Sequence, residues 1–252
     1  MRTKIRGCRI FANAFVDFCF SSGGIHALMI AMKRPPFPDI RAVIFDFDGT
    51  LFDATDAICQ SLNAALVAHG RAPLPRGEIL PRIGRPLYEI FQALEPAASP
   101  ERVQSHVDAY REAFWPVCLK LTRELPGLRA CLDQLRGRVG LAIATNRSAR
   151  GAQYILEGFG LGNIFSVIVA LEHVEKVKPD AEPVLKACAQ LGVPPAHAMM
   201  VGDTPDDVCA GCAAGVVAVG VTTGAHSAAI LRQVGAQAVI DSLAELPALL
   251  AK

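Results

Sequence analysis

Residues 42–53 read Ala42-Val43-Ile44-Phe45-Asp46-Phe47-Asp48-Gly49-Thr50-Leu51-Phe52-Asp53. Ala42 to Phe45 form an uninterrupted apolar run. Such a run predicts a strand covered on both faces, as in a parallel sheet. Two carboxylates, Asp46 and Asp48, stand where that strand ends. Ligands of open α/β sheets bind just outside the carboxyl ends of the strands. Asp is seldom buried unless it is paired or bound to a metal. Two of them against a buried strand therefore require a cation, and a hard, oxygen-binding one such as Mg²⁺ is the natural choice.

Outward from this stretch, strand signals recur at Val139–Ala144, Val167–Ala170, Ala198–Val201, Val216–Val221 and Ala238–Ile240, with helices between them. One helix is expected from about Ala149 to Phe159, with Ala152, Ile155, Leu156 and Phe159 on one face. Another follows Asp180, carries Val184, Leu185, Cys188 and Leu191, and stops at Gly192. A last helix opens with the capping box Ser242-x-x-Glu245. The alternation predicts an α/β fold: a Rossmann-like parallel sheet with helices on both faces. Between the first two strands of this core lies a helical insertion, residues 54–124. Asp53 can cap its first helix, which carries Ile58, Leu62, Ala65 and Leu66 and ends at Gly70. Pro86 opens a second helix with Leu87, Ile90, Phe91 and Leu94 on one stripe. Ser99-Pro100-Glu101 starts a third, with Val103, Val107, Tyr110 and Phe114. Helices inserted just past a catalytic strand end are expected to stand over the site as a cap that excludes water and selects substrates. The expected division is therefore a core of residues 39–53 and 125–252, a cap of 54–124, and an N-terminal extension of 1–38.

Composition narrows the function classes. The chain has 252 residues, 52% of them hydrophobic, which suffices for one large domain or a core with an insert. A net charge of +1 argues against nucleic acid or an anionic membrane as partner. The longest apolar runs fall short of the roughly 18–20 residues needed to span a bilayer. Eight scattered cysteines suggest reduced thiols in a cytoplasmic enzyme. Cys209-x-x-Cys212 lacks a second pair or a nearby His, so it reads as two small helix-facing residues in a tightly packed turn. The six histidines show no metal-ligand spacing. Lys4, Arg6 and Arg9 precede an apolar stretch like a signal peptide, but Asp17 interrupts it and Ser21-Ser22-Gly23-Gly24 breaks it. The expectation is a mis-assigned start, with Met29 or Met32 as the first residue.

Further chemistry falls at the same edge of the sheet. Val139–Ala144 ends at Thr145-Asn146, and Ala198–Val201 ends at Gly202-Asp203-Thr204-Pro205-Asp206-Asp207. Lys178-Pro179 lies between them, just before a helix. Strand ends of a parallel sheet face one way, so a nucleophile, a hydroxyl, a cation and carboxylates converge, as phosphoryl transfer requires. Asp46 can attack phosphorus to give an aspartyl phosphate. Mg²⁺ and Lys178 offset charge on the phosphoryl oxygens, and Thr145 can donate a hydrogen bond to them. Each residue also has an ordinary structural reading. Lys178 can be a solvated helix-start residue, as Lys176 is expected to be, and Thr145-Asn146 alone can be a turn. Asp206 reads as solvent-facing or a helix cap. Gly158–Gly162 is a helix stop, because it precedes a strand rather than opening a helix.

Asp46–Thr50, Thr145-Asn146, Lys178-Pro179 and Gly202–Asp207, in this order, resemble the four motifs of the haloacid dehalogenase superfamily of phosphatases, over essentially Ile40 to Lys252. The resemblance implies that Asp46 is the nucleophile, while Asp48 protonates the leaving group and then activates water. It implies Mg²⁺ held by Asp46, the backbone carbonyl of Asp48, and Asp203, with Asp207 supporting that shell and Lys178. It also implies that Gly49, Thr50 and Asn146 lie against the substrate, and that the insert is the family's first cap type. Within the superfamily the chain looks most like the phosphoglycolate phosphatase group, through Asp46–Asp53, Ile83-Gly84-Arg85-Pro86-Leu87, Val177–Asp180 with Pro183, and Gly202–Asp207 followed by Ala210–Gly215. Pyrophosphate-cleaving relatives look similar. The implied substrate is a small phosphorylated metabolite, the implied assembly a monomer or homodimer.

Two readings of Arg85 stay open: bidentate recognition of a substrate carboxylate or second phosphate, or a surface arginine. Asp48 argues against a dehalogenase, whose ester intermediate needs no leaving-group acid. A phosphonate hydrolase would need a cap lysine as Schiff base, and the insert offers only Lys120. A sugar phosphomutase shares nucleophile and acid and remains an alternative. A non-catalytic binding protein on the same fold would be expected to have lost one of these residues, and none is missing.

Overall fold

The computed structural model describes Phe37 and residues 39–250. The expected extension, with both candidate starts at Met29 and Met32, lies outside the described residues apart from Phe37. Along the chain the elements are β1 (Ala42–Phe45), β2 (Phe52–Asp53), α1 (Thr55–Ala68), α2 (Arg76–Ile79), α3 (Leu87–Leu94), α4 (Pro100–Phe114), α5 (Cys118–Leu121) and β3 (Arg123–Glu124). There follow α6 (Leu128–Leu135), β4 (Gly140–Ala144), α7 (Ala149–Gly158), β5 (Val167–Val169), α8 (Glu182–Leu191), β6 (Ala198–Gly202), α9 (Pro205–Ala214), β7 (Val217–Val221), α10 (Ala228–Gln233) and β8 (Ala238–Ile240). No helix among the described residues is long and apolar enough to cross a membrane.

The expected α/β fold is present. Six strands form one sheet in the order β5-β4-β1-β6-β7-β8. All its pairings are parallel. Successive side chains of a strand face opposite ways, which explains why the sheet sits between two apolar layers. Val43 and Phe45 join Leu141, Ile143, Met199 and Val201 on one face. Ala42 and Ile44 join Ala142, Ala144, Ala198 and Met200 on the other, against Val184, Ala187 and Cys188 of α8 and Ala210 and Ala214 of α9. The second face is built largely of alanine, so α8 and α9 lie close to the sheet.

Helices α1–α5 fall between β2 and β3, and those two short strands pair antiparallel, Phe52 with Glu124 and Asp53 with Arg123. The outgoing and returning chains are thus joined where the helices leave the sheet. The N-cap of α1 is Ala54 rather than the expected Asp53, whose side chain instead accepts a hydrogen bond from the Thr55 N–H at 3.0 Å just before the helix. Ser99 caps α4 by accepting from the Arg102 N–H. The buried stripe of α4 holds Val103, Val107, Tyr110 and Phe114 as expected, and also His106.

Several local expectations are corrected. Leu185 is exposed, and Ala187 takes its place on the buried side of α8. The last helix is a 3₁₀ turn, Leu243–Leu249, with the Ser242–Glu245 capping box intact; Pro247 lies inside it and cannot donate an α-helical hydrogen bond. Cys209 and Cys212 lie within α9 itself and are not tightly packed: Cys212 is exposed, with its thiol toward the Gly235 carbonyl.

Candidate active site

Strand register assembles the site. Phe45 is level with Ile143 on β4 and Val201 on β6. One rung further, Asp46 comes level with Ala144 and Gly202, and the next residues of those strands are Thr145 and Asp203. Asp46, Asp48, Thr145, Asn146, Lys178, Asp203 and Asp207 are all buried. The structure therefore brings together the residues of all four motifs.

Lys178 is the cation of this centre and is not solvated: its side chain is 3% exposed, against 73% for Lys176. Its three N–H donors are all used, by Asp46 Oδ1, by Asp207 Oδ1 at 2.6 Å and by the Ala144 carbonyl at 2.8 Å. The Lys178-Pro179 peptide is cis. Burial works against the charged ammonium, but Asp207 and Asp46 outweigh it, so its pKa is raised. Asp46 is pushed up to about 7, first by burial and then by the Asp207 carboxylate, with Lys178 opposing. Asp203 is raised well above the ordinary carboxylate range by burial, then by Asp207 and Asp46.

Asp46, Asp203 and Asp207 each present an oxygen within 4.8 Å of the others. Three buried carboxylates around one lysine carry excess negative charge, and an all-oxygen donor set of this kind fits a hard divalent cation. Asp207 is the least available of the three. Its Oδ1 takes Lys178, and its Oδ2 accepts from the Thr204 N–H and hydroxyl at 3.0 and 2.6 Å, closing the capping box of α9. It braces the centre, which leaves Asp46 and Asp203 to face a cation. The Asp48 carboxylate is likewise engaged elsewhere, so its expected share in a metal site falls to its backbone carbonyl.

Gly49 has φ +87°, and a Cβ there would lie 2.4 Å from Asp203 Oδ2. Only glycine both turns the chain and leaves room for that carboxylate. Thr50 is fully buried and donates to Asp203 Oδ1 at 3.1 Å, so its side chain orients an acid. Asn146 donates to the carbonyls of Gly84 (2.9 Å) and Lys178 (3.3 Å) and accepts from the Lys178 N–H (3.2 Å). Its amide thus joins the Gly84 loop of the helical insertion to the core. The Thr145 hydroxyl oxygen accepts from the Arg147 N–H at 3.1 Å, which leaves its own proton to donate.

A cavity of about 250 Å³ opens from Asp46, Asp48 and Thr145 toward the helical insertion. Its walls include Ile58, Ile83, Leu87, Val107, Phe114 and Trp115. Arg85 is exposed at the rim and also lines it. Asp206 is half-buried; burial and then Asp207 push its pKa up, while Arg85 pulls it down. Sequence reasoning passed over two features. Arg147 closes a bidentate pair with Asp48, Nε to Oδ2 at 2.8 Å and Nη2 to Oδ1 at 2.6 Å. Burial alone would lower its pKa, and the Asp48 carboxylate raises it overall. At the end of β7, the Thr223 hydroxyl donates to the Gly49 carbonyl at 2.6 Å, and a Cβ on Gly224 would lie 1.8 Å from Asp203 Oδ2. The strand-end rule that located the other residues applies equally to β7 and was the available signal.

A model of the haloacid dehalogenase-like hydrolase family matches residues 43–221. The chain is 36% identical over 214 residues to the plasmid phosphoglycolate phosphatase of Cupriavidus necator, covering 83% of this chain and 92% of that protein. It is 34% identical over 184 residues to the pyrophosphatase PpaX of Bacillus velezensis, covering 72% and 83%. Among solved structures, a HAD-superfamily hydrolase of subfamily IA, variant 1, from Geobacter sulfurreducens superposes with a TM-score of 0.62 at 29% identity, over 83% of this chain and 95% of that one. The chain belongs to the haloacid dehalogenase-like hydrolases, as an enzyme of their phosphatase branch.

Proposed function

We propose that the protein is a Mg²⁺-dependent phosphatase that hydrolyses a small phosphorylated metabolite through an aspartyl phosphate on Asp46. The observation that carries this reading is the buried centre of Asp46, Asp203, Asp207 and Lys178, from which Asp46 faces a cavity of about 250 Å³ that Asp48, two residues further on, also lines. A cavity of that size suits a small ester rather than a polymer. Asp46, the Asp48 carbonyl and Asp203 would hold Mg²⁺, which would supply positive charge against the phosphoryl oxygens.

This chain's own residues do the rest. Lys178 fixes one oxygen of Asp46 and leaves the other to attack phosphorus as the bond to the leaving oxygen breaks. Thr145 donates to a phosphoryl oxygen. Asp48 gives its proton to the leaving oxygen, then takes one from a water that attacks phosphorus and releases Asp46. Gly49 and Asn146 shape the floor, Thr50 holds Asp203, and Arg85 stands where the far end of a substrate emerges. The helical insertion serves as a cap that limits water and selects the leaving group. The same residues serve a cytoplasmic monomer or homodimer equally.

Phosphate release from a panel of phosphate esters, with Mg²⁺ and with chelator, tests the proposal. Release from a small carboxylated ester such as phosphoglycolate, lost with chelator and restored by Mg²⁺, is the expected result. Hydrolysis of pyrophosphate in preference to every ester would assign the chain to the pyrophosphatases, and an isomerised sugar phosphate would make it a mutase. No turnover across the panel would make it a binding protein.

A further inference from the structure

Arg147 has no part in the chemistry just described, yet its guanidinium is held on several sides. It follows Asn146 in the loop between β4 and α7, and its side chain is only 10% exposed. Nε and Nη2 are spent on both oxygens of Asp48. The rings of Phe47 and Phe114 flank it, with its central carbon 5.5 and 5.1 Å from their centroids. Phe47 sits between Asp46 and Asp48, and Phe114 closes α4 of the helical insertion, so the guanidinium touches both sides of the cleft. Nη1 makes no hydrogen bond to a described residue, although Arg147 lines the cavity.

Two rings and one carboxylate hold a planar fork in place, which spares the ordering cost of binding a second carboxylate in the same geometry. The Phe47 and Phe114 rings lie over it and little of it meets solvent, so a charge pair there is weakly screened. The pairing also occupies Asp48. With both oxygens accepting from the guanidinium, Asp48 is paired as an anion and carries no proton for a leaving oxygen. A substrate carboxylate that took the fork would free Asp48 to take up a proton from water, which it then gives to the leaving oxygen; one carboxylate is exchanged for another at the same cation. A second phosphate carries more negative charge than the one guanidinium can balance, so the exchange favours a carboxylate.

We infer that Arg147 is the specificity-determining residue of this site: it receives a carboxylate on the leaving-group side of the substrate, and that capture releases Asp48 toward the leaving oxygen. The inference rests on the phosphatase reading above. In it, Arg147 is a positioning residue that acts on the reaction through Asp48, and Arg85 at the exposed rim plays the lesser part in recognition.

The test compares phosphoglycolate with ethyl phosphate, which matches it in length but lacks the carboxylate. Wild-type protein with Mg²⁺ is expected to favour phosphoglycolate in kcat/KM by about tenfold or more, the scale of one charge-assisted hydrogen bond. Arg147→Gln is expected to lower that preference by about tenfold, and Arg147→Lys, which keeps the charge but loses the fork, to restore part of it. A purely structural role would lower both esters in parallel and leave their ratio unchanged, which would overturn the inference. The wild-type arm needs no variant to fold. Hydrolysis of an aryl phosphate without preference for phosphoglycolate, whether both small esters are cut equally or neither is, overturns the Arg147 assignment alone, as does a stronger preference for a bisphosphate. Failure to release phosphate from any ester overturns the phosphatase reading, and this inference with it.

Discussion

At the scale of single residues, each acid of the centre differs from the others in what it touches, and each should fail differently. Asp46 is held at one oxygen by Lys178 and has the other free. Asp46→Asn should cost at least about a thousandfold in kcat, because a nucleophile acts as a unit with its partners. Near wild-type turnover in a phosphate-release assay would move the nucleophile elsewhere. Asp48→Asn should lose about 10²–10⁴-fold on an alkyl phosphate and much less on an activated aryl phosphate, whose leaving group needs little protonation. Equal losses on both would remove the acid role. Lys178 is a third case. Its removal leaves Asp46 and Asp207 buried without their counter-charge. Lys178→Met should therefore lower stability by about 3–5 kcal/mol in chelator, measured by urea unfolding. An unchanged midpoint would mean that the carboxylates do not depend on it.

At the scale of elements, the fastenings of the helical insertion include the β2–β3 pair and the amide of Asn146. Asn146→Ala strands the Lys178 N–H, the Lys178 carbonyl and the Gly84 carbonyl. A loss of about 1–3 kcal/mol is expected in equilibrium unfolding, the cost of leaving buried backbone groups unpaired. No measurable loss would show that water replaces the amide at no cost. The elements also show what could be read in advance. The strands of the sheet were legible because each is a short apolar run, and their polar ends marked the site because parallel strands end on one side. Helices α1, α3 and α4 were legible from apolar stripes and from Asp53, Pro86 and Ser99 at their starts. The short α2, α5 and α10 were not, since four to six residues carry too little periodicity. Leu185 misled because a leucine at helical spacing was assigned to the buried stripe, where the sheet instead meets Ala187. Arg147 was invisible for another reason. Its partner is 99 residues away, and beside Ser148, the cap of α7, it reads as an ordinary helix-start residue.

At the scale of the whole molecule, the fold buries three carboxylates against one lysine, and this ties stability to pH and to metal. Asp46 rises from 3.8 to about 7 on folding, so its ionisation costs the folded state. Its contribution to stability is full below pH 3.8 and is lost as pH rises through about 7. Asp203 shifts the same way. A cation among these oxygens relieves the cost only where they are ionised. The rise in Tm on adding Mg²⁺ should therefore be larger at pH 8 than at pH 5, as followed by calorimetry. An equal rise at both would place the metal elsewhere. By the convergence of strand ends, Asp46 is the group expected to carry the phosphoryl moiety. The most direct measurement quenches the Mg²⁺-loaded enzyme during turnover of an aryl phosphate, reduces it with borohydride and maps its peptides by mass spectrometry. An acyl phosphate is reduced to homoserine, so homoserine is expected at position 46, dependent on both substrate and Mg²⁺. Homoserine at another aspartate, or none anywhere while phosphate is released, would contradict that role of Asp46.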